Sequence, residues 1–231
     1  MAKGIHDEHR KRVREEILKN GIGEGLPLHK ILEFLLFYSI PRKDTNETAH
    51  KLVNKFGGLS GILEADDYEL KEVEGIGDNT VVLFKLISEI TKRYYLEKGP
   101  SHKSFRNTDE LFEHLKVKYM GYKKEMFSVL SFNSSGELLA FDFLGAGDVA
   151  SVGITARMVV EKAIKNNAVC IMIAHNHPSG NALPSADDIR TTELISNAMK
   201  TVGIPLMDHI IICNDDYVSL AQSEMYSSLF N

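Results

Sequence analysis

The fold of this chain is predicted most directly from residues 169–200, VCIMIAHNHPSGNALPSADDIRTTELISNAMK. The stretch begins with an apolar, β-branched run, which is typical of a buried strand. A polar loop containing Pro178, Gly180 and Pro184 follows this run, and a helical pattern begins at Ser185. The stretch therefore predicts a strand, a loop and a helix in succession.

The flanking segments extend this pattern into a mixed domain. Apolar runs at 126–132 and 137–144 flank a polar turn at 133–136, which predicts a β-hairpin. A helical pattern at 154–168 precedes the quoted stretch, and the apolar run LMDHIIIC at 206–213 follows it. The order β-β-α-β-α-β predicts a sheet domain with two helices available to cover it.

The segment before this domain is helical in pattern throughout, as the spacing of its apolar residues indicates. A polar stretch with Gly99 and Pro100 separates it from the sheet domain, and this composition is typical of a linker. We therefore predict an α+β protein with an all-helical domain at 1–97, a linker at 98–107 and a mixed-sheet domain at 108–231.

The composition places the chain among globular proteins. Hydrophobic residues make up 43% and charged residues 26% of its 231 residues. The first 100 residues carry 16 Lys and Arg against 17 Asp and Glu, and the remainder 11 against 15, so neither part has the basic surface of a dedicated nucleic-acid binder.

No apolar run reaches the roughly 18 residues that cross a membrane, and the charged N-terminus does not resemble a signal peptide. We therefore expect a cytoplasmic protein with no membrane partner.

Three side chains in the quoted stretch form a candidate metal site. His175 and His177 are two residues apart at the end of the predicted strand, so the alternation of the strand directs both to one face. The loop can fold back and bring Asp188, in the first turn of the predicted helix, to the same ion. Two imidazoles and a carboxylate suit zinc and leave a fourth position for a water, whose pKa falls to about 7 on zinc. The pattern predicts a hydrolytic zinc site.

The same residues have ordinary structural interpretations, which the sequence leaves open. A histidine at a strand end is commonly only a polar terminus, although the pair favours a metal. Ser185 and Asp188 also have the spacing of a capping box, in which the two residues cap the start of a helix. Spacing alone does not distinguish Asp187 from Asp188 as the third ligand. Asn176, between the histidines, is expected to point away from both.

The segment HNHPSGNALPSADD at 175–188 resembles a known signature. Its spacing of H-x-H, seven residues, Ser, two residues and Asp matches the JAMM/MPN metalloproteases, and Pro-Ser-Gly after the second His resembles the bacterial RadC family in particular. Further agreement lies in the segment DHIIIC, in the helix containing Arg157 and in a helical N-terminal region ending in Gly-Ile-Gly. The resemblance implies a cytidine-deaminase-like mixed sheet that binds Zn²⁺ through His175, His177 and Asp188. It also implies cleavage of a peptide or isopeptide bond in a peptide or protein substrate.

The resemblance implies two catalytic residues as well. Glu125, in a Glu-x-Phe pattern before an apolar strand, matches the general base that takes a proton from the water and hands it to the leaving amine. From the residues alone, Glu125 would be an exposed partner of Lys123 or Lys124. Ser185 is implied to support the oxyanion or the bound water while it caps the helix.

Two further residues are tied to the site by the resemblance. The family usually has a Thr after its Gly-rich turn, whereas this chain has Asp148, which could add a carboxylate near the metal. His209, in LMDHIIIC, recurs in the family pattern and is a candidate neighbour of the ligands. On residue type alone, His209 is better explained as a satisfied polar group of the core.

The helical region suggests a second hypothesis. Residues 70–87, LKEVEGIGDNTVVLFKLI, resemble a helix-hairpin-helix element, in which the backbone N–H groups of the Gly75-Ile76-Gly77 turn hold a DNA phosphate. Acidic residues outnumber the lysines around this turn, so we expect DNA binding to be weak. The alternative to a zinc hydrolase is therefore a DNA-associated, repair-linked module with a structural or vestigial metal site.

A third function, that of a zinc nucleobase deaminase, is excluded by the sequence. The chain lacks the H-x-E and P-C-x-x-C signature of those enzymes. The sequence predicts no particular oligomeric state.

Overall fold

The computed structural model describes residues 5–23, 25–41, 43–98, 104–146, 155–178 and 180–230. The chain divides into two compact units, Met1–Thr91 and Lys92–Asn231. Residues 99–103 of the predicted linker lie outside the described residues, as does Asp148. The linker at 98–107 and a carboxylate of Asp148 near the metal therefore stay predictions.

The first unit is built from short helices around an apolar core. Its described residues form α1 (Ile5–Asn20), α2 (Leu28–Leu36), α3 (Asn46–Phe56), α4 (Leu59–Glu64), α5 (Asp67–Lys71) and most of α6 (Asp78–Lys98). The helical patterns of the sequence, at 9–21, 29–40, 47–58, 68–73 and 80–98, predict all of these helices except α4. The six residues of α4 are too few to show a helical period. The largest fully buried side chains of this core are Leu32, Leu36, Leu52, Ile62, Leu70 and Phe84.

The turn between α5 and α6 is the segment that the sequence linked to phosphate binding. Gly75 has a φ of 93°, a left-handed conformation that glycine adopts without the penalty of a side chain. Four lysines of this region each form an exposed ion pair, and the pairs are Lys71–Asp78, Lys51–Glu74, Lys55–Glu72 and Lys85–Asp67. The positive charge that a phosphate needs is therefore already engaged by carboxylates.

The second unit contains a five-stranded mixed sheet. Its described residues form α7 (Thr108–Tyr119), β1 (Met126–Phe132), β2 (Leu138–Ala146), α8 (Ala156–Lys165), β3 (Cys170–Asn176), α9 (Ala186–Thr201), β4 (Leu206–Cys213), β5 (Asp216–Ser219) and a 3-10 helix (Ser227–Phe230). The strand order is β2-β1-β3-β4-β5, with β3 and β4 parallel and the other neighbours antiparallel. Nine α-helices and this sheet in the described ranges confirm the predicted α+β class.

The elements of the second unit follow the sequence closely, with one addition. The predicted hairpin, the two helices around β3 and the strand LMDHIIIC are all present. The strand β5 was not predicted, because its four residues are too few to show an alternating pattern. It pairs with β4 after a turn in which Asn214 has a φ of 50°.

Helices cover both faces of the sheet. Ile171 and Ile173 of β3 pack with α8 and α9, whereas Ala174 packs with Leu111 and Leu115 of α7 on the other face. The sequence had offered only two helices for this purpose, and α7 is the third. Burial on both sides explains why β3 is apolar along most of its length.

The parallel pairing of β3 and β4 determines where the histidines lie. The carboxyl ends of both strands reach the same edge of the sheet, and the loop after β3 leads directly into α9. Residues from β3, the loop and the start of α9 therefore meet at this edge.

None of the described helices combines the length and apolar character that a membrane span requires.

Duplex DNA is expected to bind this protein weakly, with a Kd no tighter than about 10 µM at physiological salt. The reason is that carboxylates already engage the lysines around the Gly75 turn. Fluorescence anisotropy with a labelled duplex, titrated at several salt concentrations, measures this affinity. Glu72→Gln is the matched variant, and it should strengthen binding because it releases the charge of Lys55. Submicromolar binding by the wild type that Gly75→Ala removes would contradict this expectation.

Candidate metal centre

The three predicted ligands meet at the carboxyl end of β3. His175 belongs to β3, His177 directly follows the strand, and Asp188 lies in the first turn of α9. Among the described residues, these three are the one group of His, Cys, Asp and Glu whose ligand atoms all lie within 4.8 Å of one another. The structure thus brings together the residues that the sequence selected.

The distances within this group suit a small tetrahedral ion. The Nε2 atoms of His175 and His177 are 2.9 Å apart. Asp188 Oδ1 is 3.1 Å from His175 Nε2, and Asp188 Oδ2 is 3.5 Å from His177 Nε2. Donors bound at about 2.0–2.1 Å to a tetrahedral zinc ion are roughly 3.3 Å from one another. The three side chains therefore fit around one such ion with little movement.

A backbone carbonyl fixes which nitrogen of His177 faces the group. His177 Nδ1 lies 2.7 Å from the carbonyl oxygen of Asn181, in the loop before α9. A carbonyl can only accept a hydrogen bond, so Nδ1 carries a proton and donates it. In the neutral ring, Nε2 then carries a lone pair that is directed at His175 and Asp188.

A longer chain of hydrogen bonds fixes which nitrogen of His175 carries the proton. Thr192 Oγ1 donates to the carbonyl oxygen of Asp188 at 2.6 Å, so this hydroxyl accepts from His209 Nδ1, which is also 2.6 Å away. Burial lowers the pKa of His209 well below its ordinary value, so the ring is neutral and its Nε2 is an acceptor. His209 Nε2 lies 2.8 Å from His175 Nδ1, which therefore donates. The Nε2 lone pair of His175 is left to face the other two ligands.

His209 consequently combines the two interpretations that the sequence offered. It is fully buried and hydrogen-bonded on both ring nitrogens, as a satisfied core group should be. It is also in direct contact with a candidate ligand and sets its tautomer. His209 is therefore both a satisfied core residue and a neighbour of the site.

The electrostatics of the group favour a cation between the three side chains. Burial alone would raise the pKa of Asp188, but donation from the protonated rings of His175 and His177 outweighs it, so the pKa of Asp188 lies well below its usual range. The pKa of His177 is raised, first because its protonated ring would donate to Asp188, and further by the Asn181 carbonyl and the charge of Glu125. Either a proton or a metal ion satisfies three acceptors that point at one position.

The start of α9 orients the carboxylate of Asp188. Ser185 Oγ accepts from the Asp188 N–H at 3.1 Å, while Asp188 Oδ2 accepts from the Ser185 N–H and hydroxyl at 2.7 Å each. This is the capping box that the sequence predicted. Asp188 is 2% exposed, whereas Asp187 pairs with Arg190 on the surface. The structure therefore places Asp188, and not Asp187, with the histidines.

One of the two predicted catalytic residues is in contact with this group, and the other influences it through its charge. Glu125 is half-buried immediately before β1, and its charge contributes to the raised pKa of His177. Ser185 is in direct contact with Asp188, and its hydroxyl proton is donated to that carboxylate. Their catalytic roles stay predictions.

Several residues that complete the site carry no motif of their own. Asn181 contributes a backbone carbonyl, which residue type cannot reveal. Thr192 lies four residues after Asp188 on the same helix face, so helical spacing could have indicated it. Phe127 pairs with His175 across β1 and β3 and stacks on its ring with centroids 6.2 Å apart. That contact depends on the register of the two strands.

Comparison with known proteins agrees with this geometry. A family profile described as RadC-like JAB domain matches residues 105–225. A UPF0758 protein of Fusobacterium nucleatum is 35% identical over 230 residues, which covers 96% of this chain and 98% of that protein. A UPF0758 protein of Carboxydothermus hydrogenoformans is 33% identical over 93% of this chain and 95% of that protein. One of Alteromonas mediterranea is 32% identical over 92% and 94% of the two chains.

Ser185→Ala is expected to lower the free energy of unfolding by about 0.5–2 kcal/mol and to weaken Zn²⁺ binding, because it removes both a helix cap and a hydrogen bond to Asp188. Asn107→Ala is the matched control, since Asn107 caps α7 by accepting from the Glu110 N–H at 2.9 Å. The control should lose similar stability at unchanged zinc affinity. Denaturant unfolding and competition with a chelator measure the two quantities. Equal zinc affinity in all three proteins would show that Ser185 only caps the helix.

His209→Leu is expected to weaken Zn²⁺ binding by about 10- to 100-fold, because the variant has no acceptor for the Nδ1 proton of His175. His209→Gln should recover most of the affinity, since its amide can accept from His175 and donate to Thr192. Competition with a chromophoric chelator measures both, and circular dichroism checks that each variant is folded. A folded His209→Leu protein with wild-type affinity would refute the role given to this hydrogen-bond chain.

Proposed function

Because the chain belongs to the RadC family, we propose that its JAB domain is a zinc-dependent hydrolase of the JAMM/MPN type that cleaves a peptide or isopeptide bond. One observation carries the proposal. The lone pairs of His175, His177 and Asp188 converge on one position, and hydrogen bonds that end at backbone carbonyls fix both histidine tautomers. An arrangement of this kind is preorganised for a metal ion.

The chemistry of the donors selects zinc among the common ions. Calcium and magnesium prefer sets of six or more oxygen ligands, whereas two imidazole nitrogens and one carboxylate oxygen suit a tetrahedral zinc ion. Three protein donors are also the number found in catalytic rather than structural zinc sites. When bound, Zn²⁺ polarises a scissile carbonyl and lowers the pKa of a coordinated water to about 7.

Residues of the chain supply the proton transfers. Glu125 takes the proton of the attacking water and hands it to the leaving amine, which makes an otherwise poor leaving group neutral. The influence of its charge on His177 supports this placement. Ser185 caps α9 and holds Asp188, and rotation of its hydroxyl redirects its proton from Asp188 to a developing oxyanion.

The substrate is proposed to be a peptide or a protein. A general base beside a metal site provides the two things that amide hydrolysis needs, an activated water and a proton for the amine. DNA is less well supported as a partner, because the lysines around the Gly75 turn have carboxylate partners. A DNA-associated module is therefore the weaker alternative.

His177→Ala is expected to abolish stoichiometric Zn²⁺ binding, whereas Glu125→Gln should retain the metal and lose hydrolysis by about 10²- to 10⁴-fold. The difference follows from their separate roles as ligand and base. Metal content by mass spectrometry and cleavage of a peptide library by the zinc-loaded proteins give the two readouts. Glu161→Gln, which alters an exposed glutamate of α8, is the control and should change neither.

Two results would overturn these assignments. Equal loss of zinc from the His177→Ala and Glu125→Gln proteins would make Glu125 a ligand rather than the base. Unchanged hydrolysis by the Glu125→Gln protein would remove the base from the mechanism altogether.

A further inference from the structure

Asn176 separates the two histidines in the sequence and faces the other way. The alternation of β3 sends its side chain to the face opposite His175, where it is only 7% exposed. A buried amide has an acceptor and two N–H donors that need partners. The partners of this amide therefore show which part of the chain the side chain of Asn176 fixes in place.

The partners of the Asn176 amide are backbone groups on both sides of Glu125. Its Oδ1 accepts from the N–H of Met126 at 2.7 Å. Its Nδ2 lies 3.2 Å from the carbonyl oxygen of Lys124 and 3.4 Å from that of Tyr122. The carbonyl of Lys124 and the N–H of Met126 belong to the two peptide groups that flank the Cα of Glu125. One side chain therefore holds the backbone on both sides of this residue.

This contact begins where the regular strand pairing ends. The pairing of β1 with β3 ends at Phe127 and His175, and Glu125 precedes the first residue of β1. The amide of Asn176 takes the place of the next ladder hydrogen bonds and ties residues 122–126 to β3. A short irregular segment thereby acquires a defined position beside the strand that carries the histidines.

We propose that Asn176 is a positioning residue that fixes the carboxylate of Glu125 relative to His175 and His177. The inference rests on the proposed function, in which Glu125 is the general base. Three consecutive residues then set the geometry of the reaction, two as ligands and the one between them as the support of the base. A displacement of about 1 Å in such a group costs roughly 10²-fold in rate.

Two substitutions of Asn176 test this role at different severity. Asn176→Ala removes all three contacts. Asn176→Asp keeps nearly the same shape and the acceptor for Met126, but it sets a carboxylate against two carbonyl oxygens. Asn133 offers a matched control on the other end of β1, because its Oδ1 accepts from the N–H groups of Ser135 and Glu137 at 2.9 Å each. Asn133→Ala therefore breaks similar contacts away from the site.

The first readout needs no substrate. In protein labelled with ¹³C at glutamate carboxyl groups, the signal of Glu125 is assigned by its loss in Glu125→Gln. Addition of Zn²⁺ should shift this signal in the wild type and in Asn133→Ala. In both Asn176 variants the shift should be largely lost, while zinc affinity by chelator competition stays close to that of the wild type. A full shift in a folded Asn176→Asp protein, or no shift in the wild type, would overturn the proposal.

The second readout is turnover of a peptide that the wild type cleaves. Asn176→Ala should lower kcat about 10²-fold at nearly unchanged KM. Adding Asn176→Ala to Glu125→Gln should cause no further loss, since Asn176 acts through Glu125. Independent, additive losses would contradict the proposal. If the wild type cleaves no peptide but the Glu125 signal still depends on Asn176, the proposed function fails and the positioning role stands.

Discussion

Three lone pairs directed at one position, from His175, His177 and Asp188, are the constraint on which the rest of the site depends. Hydrogen bonds that end at backbone carbonyls determine which nitrogen of each histidine faces the group. The Nδ1 proton of His177 is donated to the Asn181 carbonyl. The Nδ1 proton of His175 is donated to a chain of hydrogen bonds that ends at the Asp188 carbonyl. Because carbonyls cannot donate, no rearrangement of protons along these chains satisfies the convergent acceptors. Either an added proton or a metal ion does, and the three converging ligand atoms fit a metal ion.

The fold assembles this constraint from a single strand, helix and strand. β3 carries His175 and is followed directly by His177, the first two turns of α9 carry Asp188 and Thr192, and β4 carries His209. The helix N-terminus favours the negative charge of Asp188, and the buried surface of the sheet keeps His209 neutral. A metal bound by the folded state alone would in turn stabilise this arrangement of elements. Function and packing are therefore not separable in this half of the chain.

The sequence predicted the components of the site better than their connections. Strand alternation indicated the two histidines, and the resemblance to the JAMM/MPN signature selected Asp188 over Asp187; the structure brings these three side chains together. The acceptor for His177 could not be predicted, because it is a backbone carbonyl whose place depends on the path of the loop. The partners of Asn176 depend on the register of β1 and β3 for the same reason. The missed elements α4 and β5 are short, and their apolar patterns have no room to repeat.

X-ray absorption at the zinc edge of the purified, zinc-replete wild type decides whether two imidazoles and a carboxylate bind one zinc ion, as proposed. We expect about one zinc per chain, with nitrogen and oxygen neighbours at about 2.0–2.2 Å and no sulfur neighbour. Sulfur scattering at about 2.3 Å, or a protein that retains no stoichiometric zinc, would contradict it.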